Sequence, residues 1–292
     1  MTRVIEAVQD FKELAQFLAE MNTQKSFHIG YCGEKVEEIF NTLTEDFTGE
    51  NGQSTFHVAR NGKGEIEVAI GLDIDGVSAE VWGPYNKNST LDAQAKMWES
   101  LVKVYPAIET FYFFLNKENQ KQQEFMKAIQ AVKTGKHFIL EAVQRNFKAV
   151  QYKKSRRFIQ RDYQAFKTLH EAAFPNTYYN ARTIVNRLND ECILKILKSI
   201  SDEMLGYAYY EVDLEMEEAT LHYFAISPIA QNQGYGTELL KEVITEIFSY
   251  SQISEIRLCV ESENTRANHV YLKAGFEEKQ VLYSYRLNTR GF

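Results

Sequence analysis

Ile226-Ser227-Pro228-Ile229-Ala230-Gln231-Asn232-Gln233-Gly234-Tyr235-Gly236-Thr237 is the stretch that decides the fold of this chain. Upstream of it, residues 219–226 form an apolar strand pattern. Downstream, Leu239, Leu240, Val243, Ile244, Ile247 and Phe248 fall on one stripe of a helix expected over 237–250. Between the two, glycines one residue apart permit a tight turn in which successive N–H groups face one concavity. The helix that follows adds its unpaired amides and the positive end of its dipole. Such a turn takes an anion, most naturally a phosphate; the plain alternative is a glycine-bearing strand–helix corner without a ligand. No Gly-Lys-Ser/Thr follows, which excludes a Walker loop, and the dinucleotide fingerprint needs a third glycine.

Working outward, the second half reads as a strand at 157–160, helices at 163–173 and 181–188, and strands at 193–200, 205–213 and 219–226. Helix 237–250, strand 255–260, helix 265–273 closed by Gly275, and a final strand or two over 276–287 complete it. The first half follows the same scheme, with helices at 8–20, 34–43 and 91–105 and strands near 54–60, 66–73, 77–82 and 109–115. Phe111-Tyr112-Phe113-Phe114-Leu115-Asn116-Lys117-Glu118-Asn119 aligns without a gap on Ile256-Arg257-Leu258-Cys259-Val260-Glu261-Ser262-Glu263-Asn264, each followed by a polar helical segment. Gly83-Pro84 and Ser227-Pro228 each end an apolar stretch, and Phe11-Lys12-Glu13-Leu14 resembles Phe166-Lys167-Thr168-Leu169. A duplicated domain follows from these matches in series, with domains at 1–150 and 151–292 and a seam near 148–156. No Pro/Gly/Ser-rich linker marks that seam, so the halves are expected to pack together. The fold class is α/β (α+β), each half a mixed, mostly antiparallel sheet flanked by helices.

Composition narrows the function. The chain has 292 residues, 44% of them hydrophobic, with 15 Gly and 4 Pro, which excludes a disordered or collagen-like protein. Its 33 Lys+Arg against 40 Asp+Glu give a net charge of −7, which argues against a nucleic-acid or anionic-membrane partner and suits a neutral or cationic small substrate. Cys32, Cys192 and Cys259 form neither a disulfide framework nor a metal-ligand pattern, so no metal is expected and a reducing compartment is. There is no apolar run of membrane-spanning length and no signal peptide pattern, so the expected location is cytoplasmic.

Further along lies Asn264-Thr265-Arg266-Ala267-Asn268-His269-Val270-Tyr271-Leu272-Lys273-Ala274-Gly275-Phe276. Together with the turn, it resembles the GNAT family of acetyl-CoA-dependent N-acetyltransferases. That family has a Gln/Arg-x-x-Gly-x-Gly/Ala loop, matched by Gln231, Gly234 and Gly236. It also has Asn-x-x-Ala-x-x-x-Tyr-x-x-x-Gly-Phe, matched by Asn264, Ala267, Tyr271, Gly275 and Phe276. The likeness covers roughly residues 156–287, and the first half joins only through the repeat.

The resemblance implies acetyl-CoA as cosubstrate. Amides of Gln231, Asn232, Gln233, Gly234, Tyr235, Gly236 and Thr237 would hold its pyrophosphate, and main-chain groups of Phe224, Ala225 and Ile226 its pantetheine arm and thioester carbonyl. The strand 219–226 would splay from 255–260, and Asn264 and Ala267 would lie against the cosubstrate in the same cleft. Tyr271 stands where the family's tyrosine protonates the departing thiolate. Many members carry a glutamate where Thr220 stands here, which leaves the base open. Some carry a His-x-His pair on this strand, and His222 matches its second histidine; an imidazole suits a base near neutral pH. Alternation puts Thr220, His222 and Phe224 on one face, and Glu218 is the reserve base.

Other residues carry weaker signals. Cys259 is expected to be an inert buried thiol. Glu211, Asp213, Glu215, Glu217 and Glu218 cluster at a hairpin, read as solvated unless they face the cleft. Phe174-Pro175-Asn176-Thr177-Tyr178-Tyr179 supplies candidate walls for the acceptor or ordinary packing. In the first half, Tyr85-Asn86-Lys87-Asn88-Ser89-Thr90-Leu91-Asp92 lacks the glycine pair, Asp92 would repel a pyrophosphate, and Met126 fills the tyrosine position. A degenerate domain that supports its sibling is expected. The implied reaction is transfer of acetyl to a primary amine, on a small molecule or a peptide, by direct attack in a ternary complex. The competing readings are a non-catalytic CoA-binding regulator and a tandem acyltransferase using another acyl donor. A homodimer stays open.

Overall fold

In a computed structural model that describes residues 5–49, 52–88, 90–175 and 177–289, the chain divides into two compact units, Met1–His137 with Gln280–Phe292, and Phe138–Lys279. The first unit holds β1 (Ile5–Ala7), α1 (Phe11–Asn22), α2 (Val36–Asp46), β2 (Phe56–Arg60), β3 (Ile66–Asp75), β4 (Ser78–Asn86), α3 (Asp92–Val104), β5 (Thr110–Asn116), α4 (Gln120–Ala128) and the start of β6 (Val132–Val143). The second continues with β7 (Arg156–Arg157), α5 (Tyr163–Ala173), α6 (Ala181–Arg187), β8 (Cys192–Lys198), β9 (Met204–Asp213), β10 (Glu218–Ile226), α7 (Tyr235–Ile247), β11 (Glu255–Glu261), α8 (Thr265–Ala274) and the start of β12 (Glu277–Asn288). The sequence reading puts the domain seam near 148–156. The units divide instead at 137/138 and at 279/280, because β6 and β12 each begin in one unit and finish in the other. No expected element covers β6.

Within the first unit, β1 to β4 pair antiparallel in order, β5 lies parallel to β4, and residues 282–288 of β12 lie antiparallel to β5. A parallel neighbour needs a crossover, and α3 supplies it. The core of this unit is built on Leu14, Leu18, Phe47, Phe56, Met97 and Phe113, all fully buried. Helix starts are set by side chains, as where the Asp10 carboxylate accepts from the amides of Lys12 and Glu13.

The second unit is built on an antiparallel sheet in the order β10-β9-β8-β7. Period-two alternation along β9 decides its two faces. Tyr207 and Tyr209 pack with Phe166 of α5 and Ile184 of α6. Ala208, Tyr210 and Val212 pack with Leu239, Leu240, Val243 and Ile244 of α7. The stripe foreseen for 237–250 is therefore the buried face of α7.

The strand expected at 157–160 shrinks to Arg156–Arg157. The cause is Asp162, whose fully buried carboxylate takes a two-pronged hydrogen bond from the Arg156 guanidinium at 2.7 and 2.8 Å and another from the Ile159 amide at 3.1 Å. The chain is thereby bent through a 3₁₀ turn, Gln160–Asp162, into α5. Lys198 adds a contact at 3.3 Å. These donors outweigh the burial that opposes them and hold the Asp162 carboxyl down at about 2.

A group held below its unfolded value stabilises the fold above that value, and loses the contribution as pH falls through the folded one. Asp162→Ala should therefore lower unfolding free energy by about 2–3 kcal/mol in urea at pH 7. The gap between variant and wild type should close between roughly pH 4 and pH 2. Equal stability of the two at pH 7 would show that the bend forms without the carboxylate.

Candidate active site

β10 is an edge strand. It runs beside β11, yet the two belong to different sheets, and β9 is its hydrogen-bonded neighbour. The parting leaves main-chain groups of β10 along the wall of a cleft of about 840 Å³. At its lower end β10 comes very close to β9, where a Cβ on Gly206 would sit 2.8 Å from the Ala225 carbonyl oxygen. Only glycine allows that approach.

The turn beyond β10 has two residues in left-handed conformation, Asn232 (φ 59) and Gly234 (φ 87), and Gly234 is the N-cap of α7 without any side-chain cap. The Glu238 amide donates to the Gly234 carbonyl at 3.1 Å. The amides of Tyr235, Gly236 and Thr237 therefore belong to the helix start that has no intrahelical acceptor. Paired left-handed residues and a bare helix start together make an anion-binding concavity.

The cleft wall includes Gln231, Asn232, Gly234, Gly236 and Thr237 from this turn, and Phe224, Ala225 and Ile226 from β10. It also includes Asn264, Ala267 and Tyr271 from the α8 segment, and His222. Three expected residues are not on that wall. The Gln233 side chain turns back to the Ile229 carbonyl at 2.7 Å, Tyr235 packs toward the α7 core, and Glu218 is exposed at the hairpin end opposite Asp213. Asn264 caps α8, its side-chain oxygen accepting from the Ala267 amide at 3.2 Å. Tyr271 is edge-on to Phe276, with ring centroids 5.6 Å apart, and burial raises its pKa, which keeps the hydroxyl a donor.

His222 departs from the expected alternation. It sits in a β-bulge, since Leu221 pairs with Tyr210 and Tyr223 with Tyr209. The extra residue reverses the pattern. Phe224 packs toward the α7 side, while His222 faces Tyr178, Tyr179 and Tyr209, so the three residues Thr220, His222 and Phe224 do not share a face. The His222 Nε2 lies 3.6 Å from Glu211, and its Nδ1 is 2.6 Å from the Tyr178 hydroxyl. Burial lowers the His222 pKa more than Glu211 raises it, with Arg187 lowering it further, so the imidazole is neutral at pH 7. Glu211 is gripped by Arg187 at 2.9 and 3.0 Å and hydrogen-bonded by the Tyr209 hydroxyl.

Several residues on this surface lie outside the expected set. Glu211 sits in an acidic cluster that reads as solvated, yet it alone of the five turns to His222. Arg266, His269 and Lys273 line the cleft from α8, and with Val270 they follow the i, i+3, i+4, i+7 spacing of one helical face. That signal is present in the sequence. Cys259 is exposed rather than buried, although its surroundings and Glu261 push its thiol up to about 11, so it stays protonated.

In the first unit the corresponding corner is filled by its own side chains. The buried Asn86 amide group donates to the Thr90 carbonyl and to the buried Gln94, and the Lys121 ammonium is held by the carbonyls of Asn86 and Asn88. Met126 is fully buried, and Ser89 lies outside the described residues, as does Asn176 in the second unit. Among the described residues, no cluster of three or more His, Cys, Asp or Glu is placed to hold a metal, and no helix is long and apolar enough to cross a membrane.

A parted pair of strands leading into an amide-rich helix start is the arrangement that the GNAT resemblance implies. Residues 157–276 match the model of the Acetyltransferase (GNAT) family, a family whose chemistry is acyl transfer. Over 98% of its length the chain is similar to a GCN5-related N-acetyltransferase from Sphaerobacter thermophilus, with 15% identity, 95% of that chain covered and a TM-score of 0.71. It is also similar to a tandem GNAT protein from the clavulanic acid biosynthesis pathway, at 11% identity, 98% of each chain and TM-score 0.63. A GNAT-family acetyltransferase from Colwellia psychrerythraea matches at 11% identity, 98% of this chain and 100% of that one, with TM-score 0.56. The whole chain thus has a tandem GNAT fold.

Gly234→Asp adds a carboxylate to the bare amides and strains a left-handed position. It should weaken coenzyme A binding, read by calorimetry, by about 100-fold or more, with the melting temperature within a few degrees of wild type. Unchanged affinity would move the phosphate site elsewhere.

Proposed function

We propose that the second unit moves an acetyl group from acetyl-CoA to a primary amine by direct attack in a ternary complex. One observation carries this reading: a single cleft joins the bare amides at the start of α7, the unpaired edge of β10, and the side chains of His222 and Tyr271. The residues present fit the cosubstrate. Asn232 to Thr237 offer N–H groups suited to a pyrophosphate, Arg266 and Lys273 supply positive charge in an otherwise acidic chain, and β10 offers main-chain partners from Phe224 to Ile226 for the amide-bearing arm.

Acetyl-CoA supplies an activated thioester with a thiolate leaving group. The chain's own residues supply proton handling and orientation. His222, neutral at pH 7, accepts the proton that an ammonium must lose before its nitrogen can attack. Main-chain N–H groups at the end of β10 favour charge developing on the carbonyl oxygen. Tyr271, kept protonated by burial, holds a proton for the departing sulfur. The acceptor is an amine on a small molecule or a peptide, and Ala173, Phe174 and His222 are cleft-wall residues it can meet.

Thiol release from acetyl-CoA across an amine panel tests this reading. Tyr271→Phe should lower kcat by about 100-fold with little change in the KM for acetyl-CoA. Because the base works unprotonated and burial lowers its pKa, the rate should rise with pH along a limb below the ordinary imidazole value of about 6.5. His222→Gln should abolish that limb. Tight acetyl-CoA binding with no release toward any amine would instead identify a regulatory binder.

A further inference from the structure

We propose that Tyr178 is a catalytic residue that relays the acceptor's proton to His222, an inference that rests on the transferase reading above. The geometry around the imidazole points to it. Glu211 faces Nε2 at 3.6 Å, longer than a hydrogen bond, and its negative charge favours the ring proton on that side. Nδ1 is then the basic nitrogen, and the Tyr178 hydroxyl covers it at 2.6 Å. An amine cannot deliver its proton to Nδ1 without displacing or passing through that hydroxyl.

Tyr178 is built for such a task. Tyr178 is 69% exposed, yet the residues on either side of it are pinned. The Tyr179 amide donates to the Tyr223 hydroxyl at 3.2 Å, and Thr177 bonds the same oxygen. The Tyr179 carbonyl accepts from Nε2 of His170 at 2.8 Å. His170 is buried, and its Nδ1 in turn accepts from the Tyr207 hydroxyl. Arg187 stacks on the Tyr179 ring at 4.6 Å while gripping Glu211. An exposed phenol on a fixed backbone can meet a ligand without losing its aim.

The step balances. The ammonium nitrogen gives a proton to the Tyr178 oxygen as the O–H bond of that hydroxyl breaks toward Nδ1. The products are a neutral amine, an unchanged phenol and an imidazolium beside the Glu211 carboxylate. One positive charge moves from acceptor to His222. The Tyr178 phenol itself is pushed up to about 12, chiefly by burial and by Tyr223, so it exchanges its proton rather than losing it. The charged and titratable groups around the pair are Glu211 and Tyr209 from β9, Arg187 from α6, Tyr179 from the loop and Tyr223 from β10.

Two measurements test the relay, acetyl-CoA thiol release with amines and ¹⁵N NMR of His222. In the wild type, His222 should show the Nε2–H tautomer with Nδ1 accepting, and Tyr178→Phe should remove that hydrogen bond. The variant should lose about 100-fold in kcat with the KM for acetyl-CoA unchanged, and its acid limb should move to higher pH, because the neutral ring loses its donor. Wild-type turnover with undiminished activity in Tyr178→Phe overturns the relay and leaves the transferase reading standing, as does an Nδ1–H tautomer. A wild type that turns over no amine sinks the transferase reading and the relay with it.

Discussion

An edge strand with bare N–H and C=O groups is a liability in a sheet, normally covered or blunted, and in the second unit β10 is such an edge facing β11 across a cleft. The proposed site follows from that constraint. Gly206 lets the end of β10 press against β9, and left-handed backbone at Asn232 and Gly234 carries the chain directly into α7. The groups offered to a ligand are mostly main chain. Side chains are needed only where a proton must move.

That distribution explains what the sequence made legible. The glycine pair, the α7 stripe and the α5 span are covalent or periodic features, and they were readable. The bulge at His222 was not, because one inserted residue in an alternating strand leaves the residue types unchanged and reverses only their facing. Glu211 was hidden among acidic neighbours, its role set by Arg187 from another element. Tyr178 sat in an aromatic stretch equally compatible with packing. The Arg266–His269–Lys273 face, in contrast, had a readable helical period. β6 escaped because its first half is polar and exposed, without the apolar alternation that marks a half-buried strand.

The two units also separate residues that maintain the fold from residues suited to a ligand. Asn119 and Asn264 cap α4 and α8 in the same way, each accepting from the amide three residues on. Asn119 does this in a unit whose corner is filled by Asn86, Gln94 and Lys121. Capping alone therefore accounts for an asparagine at this position. The contrast at other positions is larger: Met126 is buried in apolar packing where Tyr271 reaches the cleft, and residues 87–91, leading into α3, contain no glycine, whereas α7 starts from Gly234.

The bulge has a further consequence for any two-substrate reaction in this cleft. A regular strand would turn His222 and Phe224 to the same side, and the group that handles the acceptor's proton would compete for space with the wall facing α7 and α8. One extra residue separates the two. Below the bulge, Phe224 and Ile226 face the α7 side, where the anion-suited turn begins. At the bulge, His222 turns to the face of α5 and α6, where Tyr178, Tyr209 and Glu211 meet it. The same few residues of β10 thus serve two faces of one sheet. On the proposed function, donor and acceptor would meet at its edge without either having to leave for the other to enter.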